Sequence, residues 1–495
     1  MLLRKLLENI HPSLPKEFEK FDVQLICSDS RQVSDGSLFV AVPGANTDGS
    51  HFIEDAIKRG IRVIVTAQPA KSFSKNPHVL IINVDNPKKI LKDLTLRFYD
   101  HPSTKLKTIG ITGTNGKTTI TYLCESIFKA NGKSSGVIGT VNHHYGQEIL
   151  PSLNTTPGLI ENQQLLAEMV KAKVDYCLME VSSHALAQGR VEGIDFPYAI
   201  FTNLTSDHLD YHKNREDYSL AKSKLFTGLS AKATAVINID DEYGSRLVKM
   251  TKSKIQTYGM TNTADIQAKD IGLNLSGSQF AIVFGKEKLN VKTSLIGRHN
   301  IYNILAAFAV AWAEKISLEK IKEGIERLEK VPGRLEAIQA GQDFSVFVDY
   351  AHTEDALKNV LTSLRQANPN RIILVFGCGG DRDKTKRPKM GKVAGELADE
   401  AIITNDNPRS EEPATIASEI KAGFQRKNYQ VILDRAEAIH TALAGAKAGD
   451  VVLVAGKGHE EYQIFKDHKI SFKEHDVIKK YLKEILNRTS GAARV

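Results

Sequence analysis

Apolar residues along this chain fall into short unbroken runs, separated by longer stretches in which they recur every three to four positions. The runs read as buried strands and the stretches as amphipathic helices. In the first hundred residues, runs at 38–42, 62–65 and 79–84 predict strands, and stretches at 52–58 and 87–98 predict helices. Asp100-His101-Pro102-Ser103 then breaks the pattern, because proline pushes the residue before it out of the helical region. A second unit opens with a run at 108–112 and a glycine-rich turn. Ile120, Leu123, Cys124, Ile127 and Phe128 follow at helical spacing, with a stop at Asn131-Gly132. Further runs at 176–179, 199–201 and 235–239 alternate with helical stretches, which predicts a parallel, doubly wound sheet. Residues 255–296 depart from this and predict short antiparallel strands around a Ser276-Gly277-Ser278 turn. After Val331-Pro332-Gly333-Arg334 the alternation restarts, with strands expected at 345–348, 372–376, 401–404, 430–433 and 451–454. A last helix has Val477, Ile478, Tyr481, Leu482 and Ile485 on one face.

At 495 residues the chain exceeds the roughly 250–300 residues that one core sustains, so the three units predict three α/β domains. The first spans 1–100. The second, 101–333, is a P-loop-type domain with a parallel sheet and a small antiparallel sheet. The third, 334–495, is expected to be a further α/β unit. The net charge of +8 favours anionic partners, but no Lys/Arg block is interleaved with aromatics as a nucleic-acid groove requires. The densest basic run, Lys384-Thr385-Lys386-Arg387-Pro388-Lys389, reads either as a solvated loop or as a phosphate-facing one. Cys27, Cys124, Cys177 and Cys378 are too widely spaced for a disulfide framework or a zinc site, which favours a reducing cytoplasm. The opening residues lack the apolar core of a signal peptide, and no run approaches the roughly 18 apolar residues of a membrane span.

The strongest chemical signal is the loop between the strand at 108–112 and the next helix. Gly113, Thr114, Asn115, Gly116, Lys117, Thr118 and Thr119 form a candidate ATP-binding turn. Its glycines let backbone N–H groups reach phosphate, Lys117 supplies charge, and the Thr118 hydroxyl can reach Mg²⁺. It is a variant P-loop, since Ile111 stands where the first glycine is usual. Glu180 ends a predicted strand, where a carboxylate faces the crevice of a parallel sheet and suits Mg²⁺. It precedes the small polar turn Val181-Ser182-Ser183-His184. His208 lies in a polar segment after another strand. His212, His143 and His144 read as structural, and no Glu follows His208 to support zinc-protease chemistry. Asn300 and Asn303 stand where a helix begins, able to cap it or to read a base. In the last unit four predicted strands end in polar turns: Asp349-Tyr350-Ala351-His352, Gly377–Arg382, Asp406-Asn407-Pro408-Arg409 and Gly456-Lys457-Gly458-His459-Glu460. Four such ends predict one site at one sheet edge. There Arg409 can clamp a carboxylate, and Asp406 or Glu460 can hold an ammonium, as an amino-acid site needs.

These motifs, in this order and over essentially the whole chain, resemble the Mur ligases of peptidoglycan synthesis, and most closely those that add the third peptide residue. The resemblance implies ATP-driven amide formation, joining meso-diaminopimelate to UDP-N-acetylmuramoyl-L-alanyl-D-glutamate through an acyl phosphate, with ATP and Mg²⁺ as cofactors. It implies a Rossmann-like third domain over 334–495 and catalytic roles for Lys117, Glu180, His208 and Lys222. Thr118 and Glu180 would meet one Mg²⁺; Lys222 matches a lysine that is carbamylated in the family and would give an oxygen ligand to a second Mg²⁺, with His208 beside it, although its own sequence context reads as a solvated helix lysine. Ser30, Asn154, Thr155, Thr156, Ser182, Gln188 and Arg190 are similar to residues that bind the UDP-muramoyl dipeptide. Asn300 is similar to a base contact, and Arg334, Asp349 and His352 to further ATP contacts. Arg382, Asp406, Asn407, Pro408, Arg409, Gly456 and Glu460 match the amino-acid contacts. Glu354 departs from the family, which usually has proline there, and is expected to alter a helix start. A cytoplasmic monomer with no nucleic-acid partner and no membrane insertion is expected. The alternatives are the same ligase using L-lysine, a folylpolyglutamate synthase-like ligase, a plain P-loop NTPase and a non-catalytic nucleotide sensor.

Overall fold

A computed structural model of the chain describes all residues except 9, 12, 45–46, 70–72, 74–75, 206–211, 213 and 493–495, with side chains through 487. Its first sheet joins β1 (Leu25–Cys27), β2 (Ser37–Val40), β3 (Val63–Thr66) and β4 (Leu80–Asn83), all parallel and in that order. β2 and β3 are buried at every position, as parallel strands covered on both faces must be. Alternate residues divide between two cores: Leu38, Val40, Val63 and Val65 lie in one, and Phe39, Ala41 and Ile64 in the other. β1 is a strand that the apolar runs did not predict; it has only three residues.

The central sheet has eleven strands. They are β5 (Lys107–Thr112), β6 (Ser135–Ile138), β7 (Asn142–Tyr145), β8 (Glu148–Pro151), β9 (Tyr176–Glu180), β10 (Tyr198–Phe201), β11 (Thr234–Asn238), β12 (Lys254–Gly259), β13 (Ile266–Asn274), β14 (Gly277–Phe284) and β15 (Glu287–Thr293). Their spatial order is β15-β14-β13-β12-β11-β10-β5-β9-β6-β7-β8. β13 through β6 run parallel, and antiparallel pairings add β14 and β15 at one end and β7 and β8 at the other. Two expectations change here. β12 pairs parallel with β11, so it belongs to the doubly wound part, and the antiparallel strands extend the same sheet rather than forming a separate one. β7 and β8 were not predicted because polar His143, His144 and Glu148 interrupt their apolar pattern. The helices Lys117–Ala130 and Arg298–Ala313 cover one face, and Leu159–Lys171 and Arg215–Thr227 the other.

The third sheet contains β16 (Glu336–Ala337), β17 (Ser345–Asp349), β18 (Ile372–Phe376), β19 (Glu400–Ile403), β20 (Tyr429–Val431) and β21 (Val451–Ala455), in the order β16-β17-β21-β18-β19-β20. All but β16 are parallel, so the four polar strand ends do lie at one edge. A short hairpin, β22 (Tyr462–Ile464) and β23 (Lys469–Ser471), folds beside that edge through the Arg409–Phe465 bridge. In the last helix, Ile478 and Leu482 are fully buried against β17, β18 and β21.

Candidate active site

β5 ends at Thr112 and the helix Lys117–Ala130 begins four residues after the loop's first glycine. Gly113 and Gly116 have φ of +145° and +91°, a region that favours glycine. A Cβ on Gly116 would collide with Asn303 Oδ1. Gly116 is the N-cap and offers no side-chain cap, which leaves the first helical N–H groups available to an anion. The loop is held from outside: Thr114 N donates to Asn203 O (2.9 Å), Asn115 N to Asn203 Oδ1 (2.9 Å), and Thr202 Oγ1 to Asn115 O (2.6 Å). Lys117 Nζ folds back to Gly113 O (2.9 Å) and Thr114 O (2.7 Å). Thr119 is buried one residue beyond Thr118.

Glu180 is the last residue of β9, opposite Ile111 of β5, and is buried. Its carboxylate accepts from Thr118 Oγ1 (3.1 Å), Thr140 N (2.9 Å) and Thr140 Oγ1 (2.8 Å), and Arg334 Nη2 donates to Thr118 Oγ1 (3.1 Å). Thr118 and Glu180 thus present hard oxygens side by side. A hydroxyl and a carboxylate beside a phosphate loop fit Mg²⁺, which keeps water and phosphate ligands beside one or two protein oxygens. Lys222 is buried, not solvated. Its Nζ donates to Gly113 O (2.8 Å) and lies 4.6 Å from the centre of the Tyr218 ring, whose hydroxyl is 3.1 Å from Thr114 Oγ1. His208 lies outside the described residues.

Beside Glu180 a second polar wall forms. Thr155 Oγ1 is 3.1 Å from Thr140 Oγ1. Thr156 Oγ1 donates to Glu180 O (2.8 Å) and accepts from Ser182 N (3.0 Å). Ser182 caps the helix Ser183–Gln188. Arg190 donates through Nε to Gln188 Oε1 (2.8 Å) and through Nη1 to Thr156 O (2.9 Å). Asn154 is exposed at the mouth of this wall. Ser30 lies apart in the first domain, buried at the start of the turn Ser30–Gln32 and bonded to Asp55.

A cavity of about 460 Å³ opens next to Gly116 and Thr118, between the helices Arg298–Ala313 and Glu354–Gln366. Asn300 does not cap its helix. Gly297 is the N-cap, and buried Asn300 donates back to Ile296 O (2.9 Å) while its Oδ1 accepts from Asn303 Nδ2 (3.0 Å). Tyr302 OH donates to Asp240 Oδ2 (2.8 Å) on the cavity wall. Burial pushes His299 down to about 4, so it faces Ser363 Oγ (3.1 Å) as a neutral ring. Asp349 accepts from Leu335 N and Ala351 N, both at 2.7 Å; burial raises its carboxyl against the opposing pull of Arg334 and those amides. Arg334 stacks 4.9 Å over Tyr350, and His352 Nδ1 is 2.8 Å from Tyr350 O. Asp355 accepts from Asn115 Nδ2 (2.8 Å), which ties the third domain to the loop. The helix starts at Glu354 behind the Thr353 cap, so Glu354 takes the first helical position, one that proline also favours.

At the rim of the third sheet, Asn407 Nδ2 donates to Glu460 Oε2 (2.8 Å), and Ile464 N to Asn407 Oδ1 (3.0 Å). Arg409, at φ +53°, donates to Gly380 O (2.8 Å) and is pinned by its own N–H to Ile464 O (3.0 Å). Pro408 presents its carbonyl to Gly380, Asp406 is buried against Gly456, and Arg382 is exposed, donating to Asp381 O (3.0 Å). The basic run divides: Lys384 and Lys389 are exposed, while Lys386–Leu397 is helical and Arg387 within it is fully buried, bonded to Glu411 (2.9 Å) and Glu419 (2.6 Å). That guanidinium holds Glu411 down to about 2.

Three descriptions match in sequence: "Mur ligase family, catalytic domain" over 22–99, "Mur ligase middle domain" over 111–311, and "Mur ligase, glutamate ligase domain" over 333–458. The chain belongs to the Mur ligase family. A Mur ligase of Clostridium botulinum, named UDP-N-acetylmuramoyl-L-alanyl-D-glutamate–2,6-diaminopimelate ligase, is 43% identical over 98% of this chain and 100% of its own length. A solved structure of a ligase with that name is 32% identical, covers 97% of this chain and 99% of its own, and superposes with a TM-score of 0.70. Mycobacterium tuberculosis folylpolyglutamate synthase, solved with ADP, shares the fold at 16% identity and TM-score 0.62, over 74% of this chain and 91% of its own.

Four residues of this Mur ligase's site were not singled out from sequence. Thr140 follows β6 with no motif around it. Asp240 and Asp355 look like ordinary polar residues beside a strand end and in a first helical turn. Lys457 was visible inside the Gly456–Glu460 turn, but nothing in its spacing marked it as buried.

Proposed function

We propose that the protein is an ATP-dependent ligase that joins meso-diaminopimelate to UDP-N-acetylmuramoyl-L-alanyl-D-glutamate in peptidoglycan precursor synthesis, with Mg²⁺ as cofactor and in the cytoplasm. The observation behind the choice of amino acid is the interlocked rim, where Arg409 and Glu460 stand on neighbouring turns bridged by Asn407. A guanidinium and a carboxylate so placed suit a substrate end bearing both carboxylate and ammonium. Lysine lacks that second carboxylate. In this reading 1–100 holds the UDP group with Ser30, 101–333 holds ATP, and 334–495 receives the amino acid. The absence, among the described residues, of a helix long and apolar enough to cross a membrane is compatible with this, as are four buried free cysteines. A monomer is the simplest form.

The γ-carboxylate of the D-glutamyl group, held against Thr155, Thr156, Ser182 and Arg190, attacks the γ-phosphate of ATP, the β–γ P–O bond breaks, and ADP leaves with an acyl phosphate formed. Lys117 leaves its loop carbonyls to meet the charge on the transferring phosphoryl group. One Mg²⁺ held by Thr118 and Glu180, and a second held by a carbamate on Lys222 with His208 beside it, would supply further neutralisation of the phosphates. Lys222, buried beside Gly113, would carry that carbamate. The amine of diaminopimelate then attacks the acyl phosphate, the C–N bond forms and phosphate leaves. Residues of both domains line the ATP cavity, and their approach excludes water that would hydrolyse the acyl phosphate. The test is phosphate release with MgATP and the UDP-muramoyl dipeptide, with diaminopimelate or L-lysine added in parallel and products weighed by mass spectrometry. A tripeptide product with diaminopimelate alone supports the reading. A lysine product removes the role given to Arg409, and phosphate without coupled product leaves a plain NTPase.

A further inference from the structure

Lys457 is fully buried, yet its ammonium sits in the amino-acid rim. Nζ donates to Asn407 Oδ1 (3.1 Å) and to Glu460 Oε2 (3.1 Å), and lies 5.5 Å from the centre of the Tyr462 ring. Asn407 Nδ2 donates to the same Glu460 oxygen (2.8 Å), which closes a triangle of Lys457, Asn407 and Glu460. Ile464 N fills the remaining acceptor direction of Asn407 Oδ1 (3.0 Å). Glu460 Oε2 is therefore fully engaged. Its Oε1 accepts from no donor among the described residues, and the side chain is 18% exposed. Removing Lys457 would release both partners, because Asn407 alone does not fix the rotation of a carboxylate.

Burial points the same way. Nearby, Arg435 and Glu474 form a fully buried pair, and Asp406 lies against Gly456. With Arg409 on the neighbouring turn, Arg435 and Lys457 face the three carboxylates Asp406, Glu460 and Glu474, and of these carboxylates Glu460 is the one open to solvent. A buried ion pair that leaves one carboxylate oxygen outward offers an ammonium a strong, oriented acceptor.

We propose that Lys457 is a positioning residue for the incoming amino acid: it aims Glu460 so that the outer oxygen receives the substrate's ammonium. This rests on the reading of the rim as the amino-acid site. Lys457 is too deep to touch substrate, so its effect passes through Glu460.

A double-mutant cycle tests this with the full chain: Lys457→Met, Glu460→Gln and both together, assayed by coupled phosphate release. K457M is expected to raise KM for diaminopimelate about tenfold or more, with KM for ATP changed less than about threefold. In the E460Q background the added effect of K457M should fall below about threefold, because the residue it aims is already disabled. Unchanged KM for diaminopimelate in folded K457M, or effects that simply multiply, would overturn the proposal, since a merely structural lysine would act independently of Glu460. Should K457M not fold, Lys457→Gln takes its place, keeping a donor to Asn407 while removing the charge. Wild-type protein that makes no diaminopimelate product sinks the substrate reading along with this one. Wild-type activity with an indifferent K457M sinks only the role of Lys457.

Discussion

Glu474→Gln strands a buried cation while hardly changing shape. Arg435 and Glu474 are both fully buried, with Nη2 to Oε1 at 2.6 Å and Nε to Oε1 at 2.7 Å. Arg435 also donates to Asn405 O (3.0 Å) after β19 and to Ala455 O (2.8 Å) at the end of β21, so it fastens together the turns that bear Arg409 and Glu460. Removing one partner of a buried pair costs about 3–5 kcal/mol. Glutamine keeps an acceptor oxygen, which offsets about 1 kcal/mol, and an arginine cannot shed its proton to escape. The net loss is therefore about 3 kcal/mol. For a domain of about 150 residues each kcal/mol moves the midpoint about 2–4 °C, so the third domain should melt about 6–12 °C lower. Differential scanning calorimetry of the full chain reads this directly. A shift under about 2 °C would refute the assignment of a stabilising charge pair. The double change Arg435→Met with Glu474→Met removes both charges but orphans the Asn405 and Ala455 carbonyls. It should remain below wild type, and full recovery would show that those two bonds contribute nothing.

Lys117→Ala should lower phosphate release at least about a hundredfold while leaving the melting temperature within a few degrees, and full activity would sink the ligase mechanism. Arg409→Ala should raise KM for diaminopimelate about 10–100-fold and leave KM for ATP alone, since a lost charge-assisted bond is worth about 1.5–3 kcal/mol; equal changes in both constants would remove its specificity role. Glu336, in the edge strand β16 of the third sheet, is held down to about 2: burial pushes it up, but His475, the Gly333 amide and Lys330 outweigh that. Its folded pKa is depressed, so its stabilisation is present above about 4.5 and is lost as pH falls toward 2. Wild type should accordingly lose more stability between pH 5 and pH 3 than Glu336→Gln, measured by urea unfolding, and parallel losses would contradict this.

Periodicity served best where an element meets a core on a regular face. The helix over 87–98 is found with those bounds, and the runs at 108–112 and 372–376 become β5 and β18 within a residue at either end. It failed where burial is decided by distant partners. β7 joins the sheet although three of its four residues are Asn or His, because pairing with β6 and β8, not an apolar face, holds it. Lys222, Arg387 and Lys457 are charged residues on or beside helices and turns, and pattern alone places them in water. Each is buried because an acceptor arrives from a remote segment: Gly113 for Lys222, Glu411 and Glu419 for Arg387, Asn407 for Lys457. The glycine loop was legible because its chemistry is contiguous. The Asn115–Asp355 and Thr118–Arg334 bonds join residues more than two hundred positions apart, and no local spacing announces them.

The cavity beside Gly116 has walls from two domains, and its consequence concerns cooperativity. An occupant touching both the helix Arg298–Ala313 and the helix Glu354–Gln366 adds its binding free energy to their junction rather than to either domain alone. At low occupancy the two bodies are free to melt one after the other. At saturation they are yoked, and the heat of unfolding should merge into a single, sharper transition.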